Sequence, residues 1–434
     1  MRRQNGAKRA PAALGVAAVL TALSLLASAC SRGSVSPSQT PDTVSGHLIW
    51  WDIAQQADSK AVAQELIDRF HTINPNVTVD LVELGFDDLK AKFDTAAQSA
   101  SGAPDVITLD SSWVADFGAR GYLARLDGTR ADVGQDDIVA SVVPTLKWDG
   151  RLVALPRNAD ADALLYNPGL LRAAGVPVPQ TWTQVSAARL KLTARGVQTL
   201  YAPATGQGLL PWIYGDGGKL VDPDAKRILV NAPPAVRGLT DRVALQATDV
   251  SVGDATADSV VGMRAAFREG RVAMIIDNAA AMPGLAGGAA FNNTVDIGIA
   301  KIPEGSERSS SLLTGAVFGV YAASQQLPAA YEFIKYLSSA RTQDQLTRSL
   351  SLLPTRTSAY LMPDVQASDL ARGFQPVIAA GTPLPQTPQN QALLAPLDDA
   401  FRRALAGDQS PQQALDDVAA AYRKTFPDYT SNLP

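Results

Sequence analysis

At 434 residues the chain is too long for one compact core, so its length predicts about two to three domains, or two lobes that share the chain. Its hydrophobic content of 46% and charged content of 18% exclude a disordered or fibrous protein. The formal net charge of −4 argues against nucleic acid as a partner, because nucleic-acid binding requires basic patches.

Residues 1–29 have the parts of a secretory signal peptide. A basic segment without acidic residues comes first, and an apolar run of small residues follows it at 12–29. This run is barely long enough to span a membrane, and its many alanines weaken it as an anchor. Removal of the segment would lower the formal net charge from −4 to −8.

Cys30 is the only cysteine of the chain, so it cannot form an internal disulfide. The stretch LASAC, residues 26–30, resembles a bacterial lipobox, which implies that Cys30 is lipidated and holds the protein at a membrane surface. The alternative is an incidental cysteine of the signal peptide. Residues 30–45 comprise this cysteine and a segment rich in Ser, Thr and Pro, which predicts a flexible tether.

From residue 47 onward, short apolar runs alternate with amphipathic stretches. Their spacing predicts strands at 47–51, 77–84 and 105–110 and helices at 57–75 and 86–100. This order indicates a mostly parallel sheet with helices on both faces, in which ligands bind beyond the carboxyl ends of the strands. Asp52 and Asp110 come at two such ends.

Residues 158–162 alternate between polar and small side chains. Asn158, Asp160 and Asp162 take turns with alanines, which is the period of a strand with one polar face. Such a strand lies either at the surface or across the mouth of a cleft. Further along, a helix and a strand end at Asp277-Asn278, and strands and helices continue to the C-terminus.

Metal and cofactor chemistry finds little support in the sequence. The two histidines, His47 and His71, have no paired-ligand spacing, and no phosphate-binding glycine motif is present. We therefore predict no metal and no cofactor. Asp52, Asp110 and Asp160 could supply the carboxylates of a glycosidase. Alternatively, polar strand ends with aromatic neighbours could bind a small polar molecule such as a sugar.

Several stretches, in this order, resemble the bacterial extracellular solute-binding proteins of the maltose- and trehalose-binding type. They include LIWWD, DVITLDSSWVADFGARGYLARLD, LVALPRNADADALLYNPGLL, GDGGKLV, FREGRVAMIIDN and TGAVFGVYAASQQLPAAYEFIKYL. The resemblance implies an α/β, two-lobed periplasmic-binding-protein fold of type II, with a ligand cleft between the lobes and three hinge crossings. The N-terminal lobe would comprise 46–158 plus 314–353, and the C-terminal lobe 159–313 plus 354–434.

The resemblance also implies which residues contact the ligand. Asp110 and Asp160 match positions that hydrogen-bond the sugar, and Trp212 falls near an aromatic residue that stacks on it. The full predicted set is Asp52, Asp110, Asn158, Asp160, Trp212, Tyr214, Asp277, Asn278, Gly315 and Arg356.

The function that the resemblance implies is that of a monomeric receptor lipoprotein that delivers a small carbohydrate to the permease of an ABC importer, without catalysis. Maltodextrin receptors carry a tryptophan after the strand at 272–276, whereas this chain has Ala279-Ala280-Ala281. We therefore expect a mono- or disaccharide. Two alternatives stay open. One is a receptor for a polyol such as a glycerophosphodiester, which a basic cleft residue such as Arg157 or Arg356 would favour. The other is a secreted glycoside-processing enzyme.

Overall fold

The computed structural model describes residues 43–54, 58–248, 251–252 and 259–431. The predicted signal peptide, Cys30 and most of the predicted tether lie outside the described residues, so the lipidation of Cys30 stays a prediction. Among the residues that are described, no helix has the length and apolar character needed to cross a membrane.

The described chain alternates strands and helices along its whole length. The strands are β1 (Gly46–Ile53), β2 (Val77–Leu84), β3 (Val106–Asp110), β4 (Lys147–Trp148), β5 (Arg151–Leu152), β6 (Ala154–Ala161), β7 (Ala163–Tyr166), β8 (Gln198–Tyr201), β9 (Val221–Asp222), β10 (Arg227–Ile228), β11 (Ser251–Val252), β12 (Val272–Asp277), β13 (Gly298–Ala300) and β14 (Leu313–Val320). The helices are α1 (Ser59–Ile73), α2 (Phe86–Ser99), α3 (Val114–Ala119), α4 (Pro168–Ala173), α5 (Trp182–Thr193), α6 (Gly206–Gly215), α7 (Pro233–Ala247), α8 (Ser259–Arg268), α9 (Met282–Leu285), α10 (Leu327–Leu337), α11 (Ala340–Leu350), α12 (Pro363–Ala367), α13 (Asp369–Ala380), α14 (Leu394–Ala406) and α15 (Pro411–Thr425).

Two five-stranded sheets form the centres of two lobes. The first sheet has the strand order β2-β1-β3-β14-β6 and the second has the order β11-β8-β12-β7-β13. In each sheet only one strand runs against its neighbours, β14 in the first and β7 in the second. The mostly parallel sheet predicted from the sequence is therefore present twice.

The chain passes between the lobes at the strand with the polar face. β6 belongs to the first sheet and ends at Ala161, while β7 belongs to the second sheet and begins at Ala163. Only Asp162 separates them. The chain returns between β13 and β14, and the reversed strand of each sheet is thus the one that arrives from the other lobe.

The lobe boundaries stay a prediction, and the segment after Pro354 illustrates why. The sequence assigned this segment to the second lobe, but the Val139 N–H donates to the Thr355 carbonyl and Arg356 pairs with Ile138. Helix α13 then contacts both β6 and β13, and α14 and α15 pack against α6 and α7.

Helix α1 shows how the amphipathic pattern is used. Val62, Leu66 and Phe70 are buried as the spacing predicts, whereas Ile73 is 67% exposed. Ile73 is the last residue of the helix, where the chain changes direction, so its side chain is not covered by the core.

Candidate ligand-binding site

The polar face of the crossing strand lines the space between the lobes. Asn158, Asp160 and Asp162 are half-buried, whereas Ala159 and Ala161 between them are buried. Small side chains on one face let the strand pack closely into the core. The opposite face then presents an amide and two carboxylates where the two lobes meet.

Two cavities adjoin this strand. One has a volume of about 500 Å³ and is lined from the first lobe by Ile53, Phe86 and Asp160 and from the second lobe by Ala280 and Pro283. The other has a volume of about 380 Å³ and lies on the second-lobe side, with lining residues that include Asp162, Gln207, Arg264, Asp277 and Asn278. The arrangement matches the general rule that ligands bind beyond the carboxyl ends of strands.

Three carboxylates form the centre of the site: Asp160 near the end of β6, Asp162 between β6 and β7, and Asp277 at the end of β12. Burial raises the pKa of Asp160 to about 6, and the charge of Asp277 adds to this rise. Burial raises the pKa of Asp162 to about 7, with further contributions from the charges of Asp160 and Asp277. The ligand-free site therefore contains acceptor groups that are poorly solvated and repel one another, which is a suitable arrangement for binding hydroxyl donors.

Neighbouring groups fix the orientation of two of these carboxylates, Asp277 and Asp160. Arg264 binds Asp277 in a bidentate manner, with Nε 2.7 Å from Oδ2 and Nη2 2.9 Å from Oδ1. Gln207 lies near Asp162 and acts against the rise that burial causes in the pKa of Asp162. On Asp160, Oδ1 accepts hydrogen bonds from the Ala161 N–H at 2.9 Å and from the Ala279 N–H at 3.2 Å, and the second of these links the two lobes.

Two asparagines at the site have unsatisfied carbonyl groups. The side-chain Oδ1 atoms of Asn158 and Asn278 are buried, and no residue that the structure describes donates a hydrogen bond to them. A buried acceptor without a donor costs about 1–3 kcal/mol. The hydroxyl groups of a bound ligand would supply the hydrogen-bond donors that these two oxygens need.

The raised pKa values predict that the ligand-free protein loses stability with rising pH. The folded protein binds protons at Asp160 and Asp162 more tightly than the unfolded chain, in which an aspartate has its ordinary pKa of 3.8. The free energy of unfolding should therefore fall as the pH rises from about 4 to about 7, from the unfolded pKa through the two folded pKa values. Urea denaturation at several pH values would measure this fall. Asp162→Asn should make it shallower, and an equally steep fall in that variant would contradict the assignment.

Asp110 lies in the same row of the first sheet as Asn158. Ala316 of β14 pairs with both residues, so the three side chains share one face. Oδ1 of Asp110 accepts from the Ser112 N–H at 2.9 Å and from its hydroxyl at 2.5 Å, which caps the turn before α3. Within the described residues, Oδ2 receives no hydrogen bond. Burial raises the pKa of Asp110.

We expect Asp110→Ala to abolish ligand binding while lowering stability by only about 0.5–2 kcal/mol, the cost of a lost cap. Oδ1 of Asp110 makes the cap, and Oδ2 is the group that would accept a hydrogen bond from a ligand hydroxyl. Calorimetric titration and urea denaturation of the same preparation would separate the effects. Normal affinity in the variant would show that Asp110 acts only as a cap.

Asp52 lies at the end of β1 but is not exposed to the cleft. It is fully buried, and its Oδ1 is 3.3 Å from Nη1 of Arg157, which is only 3% exposed. The predicted contact between Asp52 and ligand is therefore replaced by a buried ion pair. Because Arg157 is occupied in this way, it also does not present a cation to the cleft.

Trp212 and Tyr214 require a correction, because both are core residues. Trp212 is 1% exposed and stacks on Trp182 with ring centroids 4.4 Å apart. Tyr214 is 3% exposed, and burial raises the pKa of its hydroxyl. All residues of α6 except Gln207 are buried, so neither ring can stack on a ligand in this structure.

Gly315 and Arg356 also have structural roles that differ from those predicted. Gly315 has a φ of +152°, and a Cβ atom there would lie 2.2 Å from the Asn158 carbonyl oxygen. The glycine is thus required by the close approach of β14 to β6. Arg356 is 6% exposed and donates to the carbonyls of Gly134 and Ser338 within the first lobe.

The structure therefore places four of the predicted residues at the two cavities, Asn158, Asp160, Asp277 and Asn278, and it places Asp110 on the same sheet face as Asn158. It adds Asp162, Gln207 and Arg264, which the sequence-based set lacked. Asp162 belongs to the same alternation of polar residues and alanines as Asp160, so this alternation was a signal that could have identified it. In the described part of the chain, no group of three or more His, Cys, Asp or Glu side chains is arranged to hold a metal ion.

Comparison with known proteins identifies the family. Residues 54–344, more than half of the chain, match the family of bacterial extracellular solute-binding proteins, and the chain belongs to this family. The GacH receptor of Streptomyces glaucescens is 36% identical, with a TM-score of 0.76 over 89% of this chain and 100% of the receptor. That receptor has been solved unliganded and in complex with acarbose. The predicted two-lobed solute-binding fold is confirmed.

One solved structure of lower identity agrees in fold, and two curated proteins match parts of the chain. The sugar-binding protein MalE of Xanthomonas citri has a TM-score of 0.76 at 20% identity, over 89% of this chain and 100% of MalE. A mannitol-binding protein of Pseudomonas aeruginosa is 33% identical over 137 residues, which are 31% of this chain and 31% of that protein. A lipoprotein of Streptomyces antibioticus is 29% identical over 182 residues, or 41% of this chain and 39% of that protein. The matches thus span well under half the length of these two curated relatives.

Proposed function

We propose that the protein is the substrate-binding component of an ABC importer and captures a small carbohydrate between its lobes. The observation that carries the proposal is the cluster of Asp160, Asp162 and Asp277, flanked by the unsatisfied amides of Asn158 and Asn278. Carboxylates and amides that converge in a cleft match the paired hydroxyls of a sugar. Membership of the solute-binding family supports the transport role.

The size of the ligand is proposed to be that of a mono- or disaccharide. Ala279 and Ala280 follow β12, so Ala280 contributes a methyl group and no aromatic ring to the cavity of about 500 Å³, whose lining includes Phe86 from the opposite lobe. Because the predicted rings Trp212 and Tyr214 are buried in the core, a long aromatic platform for an oligosaccharide lacks support.

A polyol is the second candidate, and the relationship to a mannitol-binding protein favours it. An acyclic polyol offers the same hydroxyl donors to the aspartates. The glycerophosphodiester version of this idea is weaker, because Arg157 and Arg356 are both buried and paired within the first lobe. A phosphate group would need a cation that faces the cleft, and Arg264 is already bound to Asp277.

We propose binding without catalysis. Family membership supports a receptor. A glycosidase would need two carboxylates on either side of the scissile bond, whereas Asp160 and Asp162 come from one strand and its end. Incubation with chromogenic glycosides tests this point, and turnover that is lost in Asp160→Asn would favour the enzyme.

The cellular setting is also proposed. Lipidation at Cys30 would hold a monomer at the extracytoplasmic face of the membrane, next to the permease. The lipobox-like stretch before Cys30 and the family support this setting. Metabolic labelling with a fatty acid should mark the wild-type protein and spare Cys30→Ser.

A thermal-shift screen against sugars, polyols and glycerophosphodiesters tests the proposed function. A ligand present at about 100 times its dissociation constant stabilises the folded state by about 2.7 kcal/mol, which raises the melting temperature visibly. A shift with a mono- or disaccharide or a polyol is the expected result. Absence of any shift across these classes, or a shift with a phosphodiester alone, would contradict the proposal.

A further inference from the structure

An exposed aromatic side chain of the first lobe lines the cavity between the lobes. Phe86 is the first residue of α2 and is 45% exposed. It lines the same cavity as Asp160, Ala280 and Pro283. A large apolar side chain that faces a cavity from a rigid element is more informative than one scattered on the outer surface, because a ligand can cover it.

The ring of Phe86 packs against a buried aromatic residue of the first lobe. Its ring centroid is 4.6 Å from that of Trp113, which is 1% exposed. The ring centroids of Trp113 and Phe117 are in turn 6.5 Å apart. The Lys90 ammonium group lies 5.6 Å from the centre of the Trp113 ring. Phe86 is therefore the outermost member of a cluster of tilted and edge-to-face aromatic rings that extends into the core of the first lobe.

The two kinds of surface in this cavity match the two kinds of surface on a pyranose ring. Asp160 and Asn158 provide acceptors and an amide for the hydroxyl groups. Phe86 provides an apolar face of the type that packs on the C–H face of a ring sugar. An acyclic polyol bears a hydroxyl on every carbon of a flexible chain and presents no fixed C–H face.

We propose that Phe86 is a specificity-determining residue that selects ring sugars over acyclic polyols by stacking on their C–H face. This inference rests on the proposed function and narrows its substrate class. Phe86 takes the place of the absent aromatic residue after β12, but from the opposite lobe. The sugar would then lie between the first-lobe ring and the second-lobe residues Ala280 and Pro283, in the cavity that Asp160 also lines.

The test is calorimetric titration of the full chain with glucose, maltose, trehalose and mannitol. Phe86→Ala should weaken binding of the ring sugar that binds best by about tenfold or more and change mannitol binding by less than about twofold. Phe86→Tyr keeps the ring and should stay close to the wild type. Leu361→Ala, a truncation at a side chain that is 80% exposed, is the matched control for loss of an apolar surface group.

The outcomes separate the inference from the proposed function. Ring-sugar binding that is unchanged in Phe86→Ala, or equal losses for ring sugar and mannitol, would overturn the role of Phe86 and leave the receptor intact. Wild-type binding of mannitol alone would overturn it as well. Binding of none of the four ligands by the wild type would contradict the proposed function together with this inference. Melting temperatures of all variants show whether each one is folded.

Discussion

Replacing Asp160 with asparagine should weaken ligand binding by about tenfold to about 150-fold without harming the fold. Hydrogen bonds to charged groups contribute about 1.5–3 kcal/mol, and the variant loses the charge that would accept the ligand hydroxyls. Its amide oxygen can still accept from the N–H groups of Ala161 and Ala279. Because burial and the charge of Asp277 disfavour the ionised form of Asp160, the melting temperature should stay equal or rise.

Calorimetric titration measures the change in affinity, and Asp408→Asn is the matched control at an exposed aspartate outside the cleft. The control should bind like the wild type. Unchanged affinity in Asp160→Asn would show that this carboxylate serves the architecture of the crossing strand and has no part in ligand binding.

The largest effect on stability is expected from Asp52→Ala, which should cost about 3–5 kcal/mol. The substitution leaves the Arg157 guanidinium buried, at 3% exposure, without its carboxylate partner. Breaking a buried pair is costly because the remaining charge has neither water nor a counter-ion. Urea denaturation, read as the shift in midpoint at constant slope, measures the loss.

Two controls distinguish this explanation from a general effect of truncation. The double variant Asp52→Asn, Arg157→Met should be more stable than Asp52→Ala, because it removes both charges. Asp399 forms an ion pair with Arg402, and both side chains are 54% exposed. Asp399→Ala should therefore lower the free energy of unfolding by no more than about 1 kcal/mol. If Asp52→Ala were as mild as Asp399→Ala, the pair could not be treated as a buried structural element.

The sequence predicted the architecture well because local patterns determine it. The alternation of Asn158, Asp160 and Asp162 with alanines indicated a strand with one polar face, and the structure uses that strand as the passage between lobes. Asp277 and Asn278 could be placed at the cleft because they follow an apolar strand. In both cases the period of the strand and the position of its end were sufficient.

Residues whose roles depend on distant contacts could not be predicted in this way. The pairing of Asp52 with Arg157 joins positions far apart in the chain, and Arg264 reaches Asp277 from a separate helix. Nothing in the sequence around Arg356 shows that it points into the first lobe. The resemblance to a family supplied positions for these residues, but it did not supply their partners.

Trp212 and Tyr214 are a different case, because the sequence did contain a warning. The stretch LLPWIY in α6 is apolar on every side, and a helix that is apolar all round is normally buried. Phe86 is the opposite case, because it is in helical register with the buried Leu89 and Phe93, at i, i+3 and i+7, and yet is 45% exposed. It is the first residue of α2, so the periodicity alone would have predicted a buried ring, and its exposure had to be read from the structure.

The most direct test is a crystal structure of the protein grown with the sugar or polyol that raises its melting temperature most. The account predicts one ligand between the lobes, with hydroxyl groups within hydrogen-bonding distance of Asp160, Asp162 and at least one of Asn158 and Asn278. A ligand bound elsewhere, with these side chains arranged as in the present structure, would contradict it.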